Sequence, residues 1–159
     1  MILLEWKISF DKQGQDAYAF DPKQKKRGVR GVKSNLPERI SEIDPEDRLN
    51  LSLHELFDSS KARHGLTGLR NLGNTCFMNS VLQGLANTEP LLKFFLFETY
   101  VGHLNTKNTY GTKGRLAMSF AELLHEMYTT DSRYVDPWVV KSWVARKAIQ
   151  FQGFAQHDS

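Results

Sequence analysis

Apolar residues in this chain recur at helical intervals mainly from about residue 65 onward. Within residues 76–86, Phe77, Val81 and Leu85 repeat every four positions, as do Met78 and Leu82, which predicts a helix with a wide apolar face. Asn74 and Thr75 are residue types that cap a helix start, and Asn87-Thr88-Glu89-Pro90 ends the pattern. A second helix is predicted near Pro90, carrying Leu91, Leu92, Phe94, Phe95 and Leu96. Residues 105–114 are a polar Asn/Thr/Gly loop. Residues 115–128 then read as a helix with Leu116, Phe120, Leu123, Leu124 and Met127 on one face. Asp136 ahead of Pro137 predicts an N-cap and a first-turn proline, opening a helix through about Lys147. Earlier signals are weaker. Leu3, Leu4, Trp6, Ile8 and Phe10 suggest a short strand, and Leu49, Leu51, Leu53, Leu56 and Phe57 an irregular amphipathic element. The expected fold class is mostly α.

Composition divides the chain into an N-terminal extension, 1–64, and a denser part, 65–159. The extension holds twelve of the twenty-one basic and eleven of the eighteen acidic residues, but five of the eighteen aromatics. Its run Lys23-Gln24-Lys25-Lys26-Arg27-Gly28-Val29-Arg30-Gly31-Val32-Lys33 reads as a solvated linker first and a nuclear-import or polyanion-binding patch second. A net charge of +3 is too mild to imply a nucleic-acid partner. The start has no basic n-region of a signal peptide, and no stretch nears the ~20 apolar residues that span a bilayer. A single cysteine excludes an internal disulfide or a four-cysteine zinc site. An intracellular protein, in cytoplasm or nucleus, with no membrane partner and no metal or cofactor, is expected.

That cysteine, Cys76, falls at the predicted helix start. There a thiol meets unpaired backbone N–H groups and the positive end of the helix dipole, a setting that favours the nucleophilic thiolate. Attack on a carbonyl then needs donors for the oxyanion. The Cys76 N–H is one, and Asn71, Asn74 and Asn79 are side-chain candidates within five residues. On position alone a buried structural cysteine is the commoner outcome.

The surrounding residues change that balance. Gly68-Leu69-Arg70-Asn71-Leu72-Gly73-Asn74-Thr75-Cys76-Phe77-Met78-Asn79-Ser80-Val81-Leu82-Gln83 resembles the cysteine box of the ubiquitin-specific proteases, Gly-Leu-x-Asn-x-Gly-Asn-Thr-Cys-(Phe or Tyr)-Met-Asn-x-x-Leu-Gln, at every defined position. About eighty residues on, Gln156-His157-Asp158-Ser159 resembles the opening of the family's second signature, with Phe151-Gln152-Gly153-Phe154 as its lead-in. The resemblance covers about 65–159.

It implies a papain-like cysteine protease of which this chain holds the first part of the helical thumb, without the β-rich palm or the fingers. Cys76 would attack the carbonyl of ubiquitin's C-terminal glycine, and Asn71 would supply the oxyanion hole. Asn71 can equally serve as a turn residue ahead of the helix. Gly68 and Gly73 would admit the substrate's Gly-Gly tail, Asn74 and Thr75 would shape the loop, and Gln156, His157 and Asp158 would line the cleft. The partners implied are ubiquitin and ubiquitinated proteins. The family's catalytic histidine belongs to a downstream box, and none of the five histidines matches it: His157 fits the second signature, His125 a helix surface, His103 a loop entry, while His54 and His64 precede the cysteine box. The sequence stops inside the second signature, so the expectation is a truncated deubiquitinase, inactive by itself. The alternative is a non-catalytic, protease-like interaction or regulatory module.

Overall fold

The computed structural model describes residues 34–57 and 65–151. The strand expected at 3–10, the basic run 23–33, His64, and Gln156, His157 and Asp158 lie outside the described residues. In the described part the chain forms α1 (Glu38–Ser41), a 3₁₀ turn (Asp47–Asn50), α2 (Leu53–Leu56), β1 (Gly68–Leu69), α3 (Cys76–Ala86) and α4 (Glu89–Leu96). A second 3₁₀ turn (Thr99–His103), α5 (Arg115–Thr129), β2 (Tyr134–Val135), α6 (Trp138–Lys147) and a last 3₁₀ turn (Ile149–Phe151) complete it. The architecture is mostly helical. The two short strands pair in parallel, Gly68 opposite Tyr134 and Leu69 opposite Val135.

Helix α5 is the central element. Its Phe120, Leu123, Leu124 and Met127 are buried on the face predicted for it, and Leu124 is wholly inaccessible. Met78, Leu82 and Ala86 of α3 and Leu92, Phe95 and Leu96 of α4 complete the same core. Phe95 holds the layers in register, edge-on to Phe120 at 5.0 Å and tilted against Tyr100 at 5.1 Å. One expectation is corrected here. Val81, placed on the apolar face of α3 by its four-residue spacing, is 44% exposed. The Met78–Leu82–Ala86 stripe is buried, and Phe77 and Leu85 are partly buried against the core, while Val81 between them is left largely open.

Helix starts also differ in detail from the sequence pattern. Helix α4 begins at Glu89, with Pro90 in its first turn, where a missing N–H costs nothing. Asp136 does accept a hydrogen bond from the Trp138 N–H at 2.9 Å, although regular helix begins at Trp138 rather than Pro137. The irregular leucines at 49–57 resolve into the first 3₁₀ turn and α2, whose start carries a complete capping box between Ser52 and Glu55.

Residues 34–57 pack against the helices. Leu53, Leu56 and Phe57 rest on the core, and Phe57 stacks on Tyr128 of α5 at 5.9 Å. Gly65, where the chain re-enters, has φ +76°, and a Cβ there would lie 3.0 Å from the Tyr128 hydroxyl. Arg48 is the main tether. It is buried and donates to the carbonyls of Ile43, Ser41 and Phe97 at 2.9, 2.9 and 3.2 Å, the last on the C-cap residue of α4. Burial lowers its affinity for a proton, opposed by the carboxylates of Glu98 and Asp44. A second tether runs from the Thr99 hydroxyl to the Pro45 carbonyl at 2.8 Å.

Arg48→Leu would leave three carbonyls without their donor and is expected to destabilise the fold by about 3 kcal/mol, read as a lowered urea midpoint at unchanged slope. His125, half-buried in α5, provides a second check. Desolvation holds its pKa below the ordinary 6.5, with Glu98 opposing. The unfolded chain therefore takes up the proton first. The contribution of the neutral imidazole is complete above the ordinary value and is lost as pH falls through the lowered folded value. Urea midpoints measured from about pH 8 to about pH 5 should drop at the acid end, and His125→Gln should flatten that drop.

Candidate active site

Six residues separate β1 from the first residue of α3, and the chain must reverse direction within them. Gly73 and Asn74 make the reversal, with φ of 99° and 52°. Left-handed backbone is open to glycine and, among other residues, tolerated best by asparagine, which accounts for the Gly-Asn pair. The arch is closed from inside by Asn71. Its Oδ1 accepts from the Gly73 N–H at 3.0 Å, the Thr75 N–H at 3.2 Å and the Thr75 hydroxyl at 3.2 Å. The Thr75 Oγ1 in turn accepts from the Leu72 N–H at 2.9 Å. Thr75, 1% exposed, therefore ties the arch together instead of capping α3: it stands in the N-cap position and makes no cap hydrogen bond.

Three saturating donors on the Asn71 oxygen fix which way the carboxamide is turned. The oxygen belongs to the arch, and Nδ2 is the end of the group left to serve another acceptor. Cys76 follows as the first residue of α3, exposed, with its carbonyl accepting from the Ser80 hydroxyl at 3.0 Å. The bland possibility of a buried structural thiol is thereby excluded.

The base of the arch is pinned to both its neighbours. On one side the strand pair is extended by Gly68 N–H to Arg133 carbonyl and Arg70 N–H to Val135 carbonyl, both 2.9 Å. On the other, two side-chain amides of α3 reach back to β1 and its flanks. Asn79 Nδ2 donates to the Arg70 carbonyl at 3.1 Å and lies 3.4 Å from that of Leu69, and Gln83 Nε2 donates to the Thr67 carbonyl at 3.1 Å. The sequence reasoning offered Asn79 as an oxyanion donor, but its amide N–H groups are engaged here. Gln83, the last position of the box, carries no assigned role in the sequence. Both are defined positions of the cysteine box one turn apart on α3, and that spacing was the available signal.

Gly68 sits in β1, where an added Cβ would meet the Arg133 carbonyl at an ordinary 3.4 Å, so the strand pair alone does not demand glycine. Phe77, next to the cysteine, stacks on Phe151 at 5.5 Å, which brings the lead-in of the second signature against the start of α3. Arg70 and Asp136 face each other at 3.8 Å across the strand pair, both well exposed, an ion pair worth little. No hydrogen bond joins Cys76 to a histidine among the described residues. His54 lies in α2, His103 beside Phe94 in the second 3₁₀ turn, and His125 in α5. Among these residues, no cluster of His, Cys, Asp and Glu could hold a metal, and no helix is long and apolar enough to cross a membrane.

An exposed cysteine opening a helix, behind an arch closed on an asparagine, is the arrangement expected of a thiol hydrolase site. Residues 67–159, more than half the chain, match the ubiquitin carboxyl-terminal hydrolase family. The chain belongs to this family of ubiquitin-specific proteases. It is 47% identical over 115 residues to ubiquitin carboxyl-terminal hydrolase 32 of Drosophila melanogaster, an alignment covering 72% of this chain and 7% of that protein. It is 48% identical over 101 residues to ubiquitin carboxyl-terminal hydrolase 4 of Pongo abelii, covering 64% and 10%. With ubiquitin carboxyl-terminal hydrolase 15 of Xenopus tropicalis it shares 47% over 104 residues, covering 63% and 11%. The chain thus spans about a tenth of the length of these relatives.

Asn79→Leu should destabilise the chain by about 1–3 kcal/mol, because the β1 carbonyls lose their donor. Asn79→Asp should cost more, since a carboxylate would then face carbonyl oxygens. Amide exchange at Gly68 and Arg70, faster in both variants than in the wild type, would locate the effect at the strand pair.

Proposed function

We propose that this chain is the nucleophile-bearing part of a thiol-dependent deubiquitinase, which removes ubiquitin from conjugated proteins. The observation that supports this most directly is the pairing of an exposed Cys76 with an Asn71 whose carboxamide oxygen is tied up inside the arch. In the proposed reaction the Cys76 sulfur attacks the carbonyl of ubiquitin's C-terminal glycine. The oxyanion that forms takes hydrogen bonds from Asn71 Nδ2 and the Cys76 backbone N–H. Collapse of this intermediate breaks the scissile C–N bond, the amine leaves with a proton from an imidazole, and a thioester remains on Cys76. Water then hydrolyses it, freeing ubiquitin's carboxylate and restoring the thiol. Gly68 and Gly73 leave room for the Gly-Gly tail, and Asn74 and Thr75 keep the arch in shape.

In this reading residues 65–159 are the N-terminal part of a papain-like catalytic domain, its helical thumb, and 1–64 are an extension. The imidazole that accepts the thiol proton and protonates the leaving amine comes from the family's histidine box, in a polypeptide longer than this chain. In this reading the present chain supplies the nucleophile and its oxyanion donors. The second reading is a protease-like module that binds partners without catalysis.

The test is reaction with ubiquitin bearing a C-terminal electrophile, followed by mass analysis of Cys76. The chain is compared with the longer polypeptide carrying the histidine box, and Cys76→Ser is the control. Labelling of the longer form is expected, with Asn71→Ala slowing it about 10²–10³-fold while Cys76 remains alkylable by iodoacetamide. Failure of the longer form to react would remove the enzymatic reading and leave the binding module.

A further inference from the structure

A second polar construction stands apart from the cysteine arch, where the N-terminal segment meets the end of α4. The carboxylate of Glu98 receives two donors from that segment. The Ser34 hydroxyl donates to its Oε2 at 2.8 Å and the Asn35 N–H to its Oε1 at 2.7 Å. Ser34 Oγ also accepts from the Leu36 N–H at 3.3 Å. Glu98 itself is held in left-handed backbone, φ 57°, between α4 and the second 3₁₀ turn. Its charge is felt by Arg48, Tyr100 and His125: it opposes the burial that lowers the Arg48 and His125 values, and adds to the burial that pushes Tyr100 up to about 12. The clamp therefore depends on one negative charge meeting two neutral donors.

Ser34 is exposed and lies in irregular chain, the state in which kinases take up their substrates. It directly follows the basic run, with Lys33, Arg30 and Arg27 one, four and seven residues before it, and no acidic residue lies between Asp21 and Glu38. This run has no part in the proposed thiol chemistry. We propose that Ser34 is a phosphorylation site for a serine kinase that selects basic sequences upstream of its target, and that the phosphate opens the Glu98 clamp.

In the transfer, Ser34 Oγ attacks the γ-phosphorus of Mg-ATP. The Oγ–P bond forms as the bond to the β,γ-bridging oxygen breaks, ADP leaves, and the hydroxyl proton passes to the kinase's catalytic carboxylate. The product carries a charge of about −1.5 to −2 and no hydroxyl donor. It cannot remain against Glu98, because the hydrogen bond is gone and like charges now face each other at contact distance. Arg48 is already donating to three carbonyls, so turning it towards the phosphate would weaken its own tether. Phosphorylation thus releases the clamp to the folded body, leaving the Arg48 and Thr99 tethers in place.

The whole chain is incubated with Mg-ATP and, in separate reactions, the catalytic domains of three kinases: a cyclic-nucleotide-dependent, a calcium/calmodulin-dependent and a lipid-activated one. The phosphorylated position is mapped by mass spectrometry, with Ser34→Ala as control. Phosphate on Ser34 is expected with at least one kinase, and Glu98→Gln, which weakens the clamp, should speed its addition. Hydrogen exchange at the Asn35 amide should rise about tenfold on phosphorylation, the factor carried by loss of one charge-assisted hydrogen bond, while exchange in α5 stays constant. Absence of Ser34 phosphate in both wild type and Glu98→Gln overturns the site. Phosphate on Ser34 with unchanged Asn35 exchange overturns the opening of the clamp.

Discussion

Everything at the candidate site depends on one acceptor atom, the carboxamide oxygen of Asn71. A chain that reverses through two left-handed residues gains no regular backbone hydrogen bonds while doing so, and water would compete for its N–H groups. Asn71 Oδ1 takes up two of those N–H groups and a hydroxyl, and so replaces the missing ladder. The thiol position follows from this. With the arch closed from within, α3 starts at a fixed distance from β1, and Cys76 is presented at the helix start without being part of the turn. The same bonds orient Asn71, so that one side chain both builds the loop and keeps its nitrogen end available.

The arch would still drift if its base could move. Helical cores restrain helix axes well but restrain a short strand poorly, since two residue pairs supply little burial and few hydrogen bonds. Here the restraint is polar and comes from α3 itself, through Asn79 and Gln83 reaching the carbonyls of Arg70 and Thr67. Strand, arch and helix start thus form one closed loop of bonds, seated on the Met78–Leu82–Ala86 stripe that faces α5. The N-terminal segment is secured by a different device. Arg48 and Thr99 cross-link it to the α4 end through backbone carbonyls, so its attachment does not depend on the arch.

The helices were legible because their signals are local. The steps of three and four in α5 and the proline in the first turn of α4 need no tertiary knowledge, and the resulting boundaries agree to within a residue or two. Val81 failed because periodicity reports how many apolar residues a face could offer, whereas the width of the neighbouring helix decides how many are covered. Thr75 failed for a related reason. Residue type and position both pointed to a cap, but its hydroxyl had a competing set of partners within the arch, visible only once the backbone had turned. Cys76 and Asn71 were legible from the density of the cysteine box. The bonds of Asn79 and Gln83, and the buried role of Arg48, were not. They pair residues with carbonyls, and every residue has a carbonyl, so sequence gives no hint of the partner.

Helix starts are treated in different ways along the chain. The one-turn α2 has a full capping box, α4 has Glu89 and Pro90 in its first turn, and α6 has Asp136 accepting from the Trp138 N–H. Helix α3 has a threonine in the N-cap position turned away into the arch, and no acidic residue in its first turn. A cap is worth about 1 kcal/mol, and an acidic first turn a few tenths more. Eleven residues of well-packed helix can bear that loss, whereas the four of α2 cannot. Helix α5 also starts with no side-chain cap hydrogen bond and no acid in its first turn, so the omission alone does not mark a site. In a thiol site it leaves the dipole uncompensated where a sulfur anion and then an oxyanion would develop, and a carboxylate in the first turn would oppose both charges. Under the proposed thiol chemistry, this start places the exposed Cys76 where a developing negative charge would meet no opposing carboxylate on its own first turn.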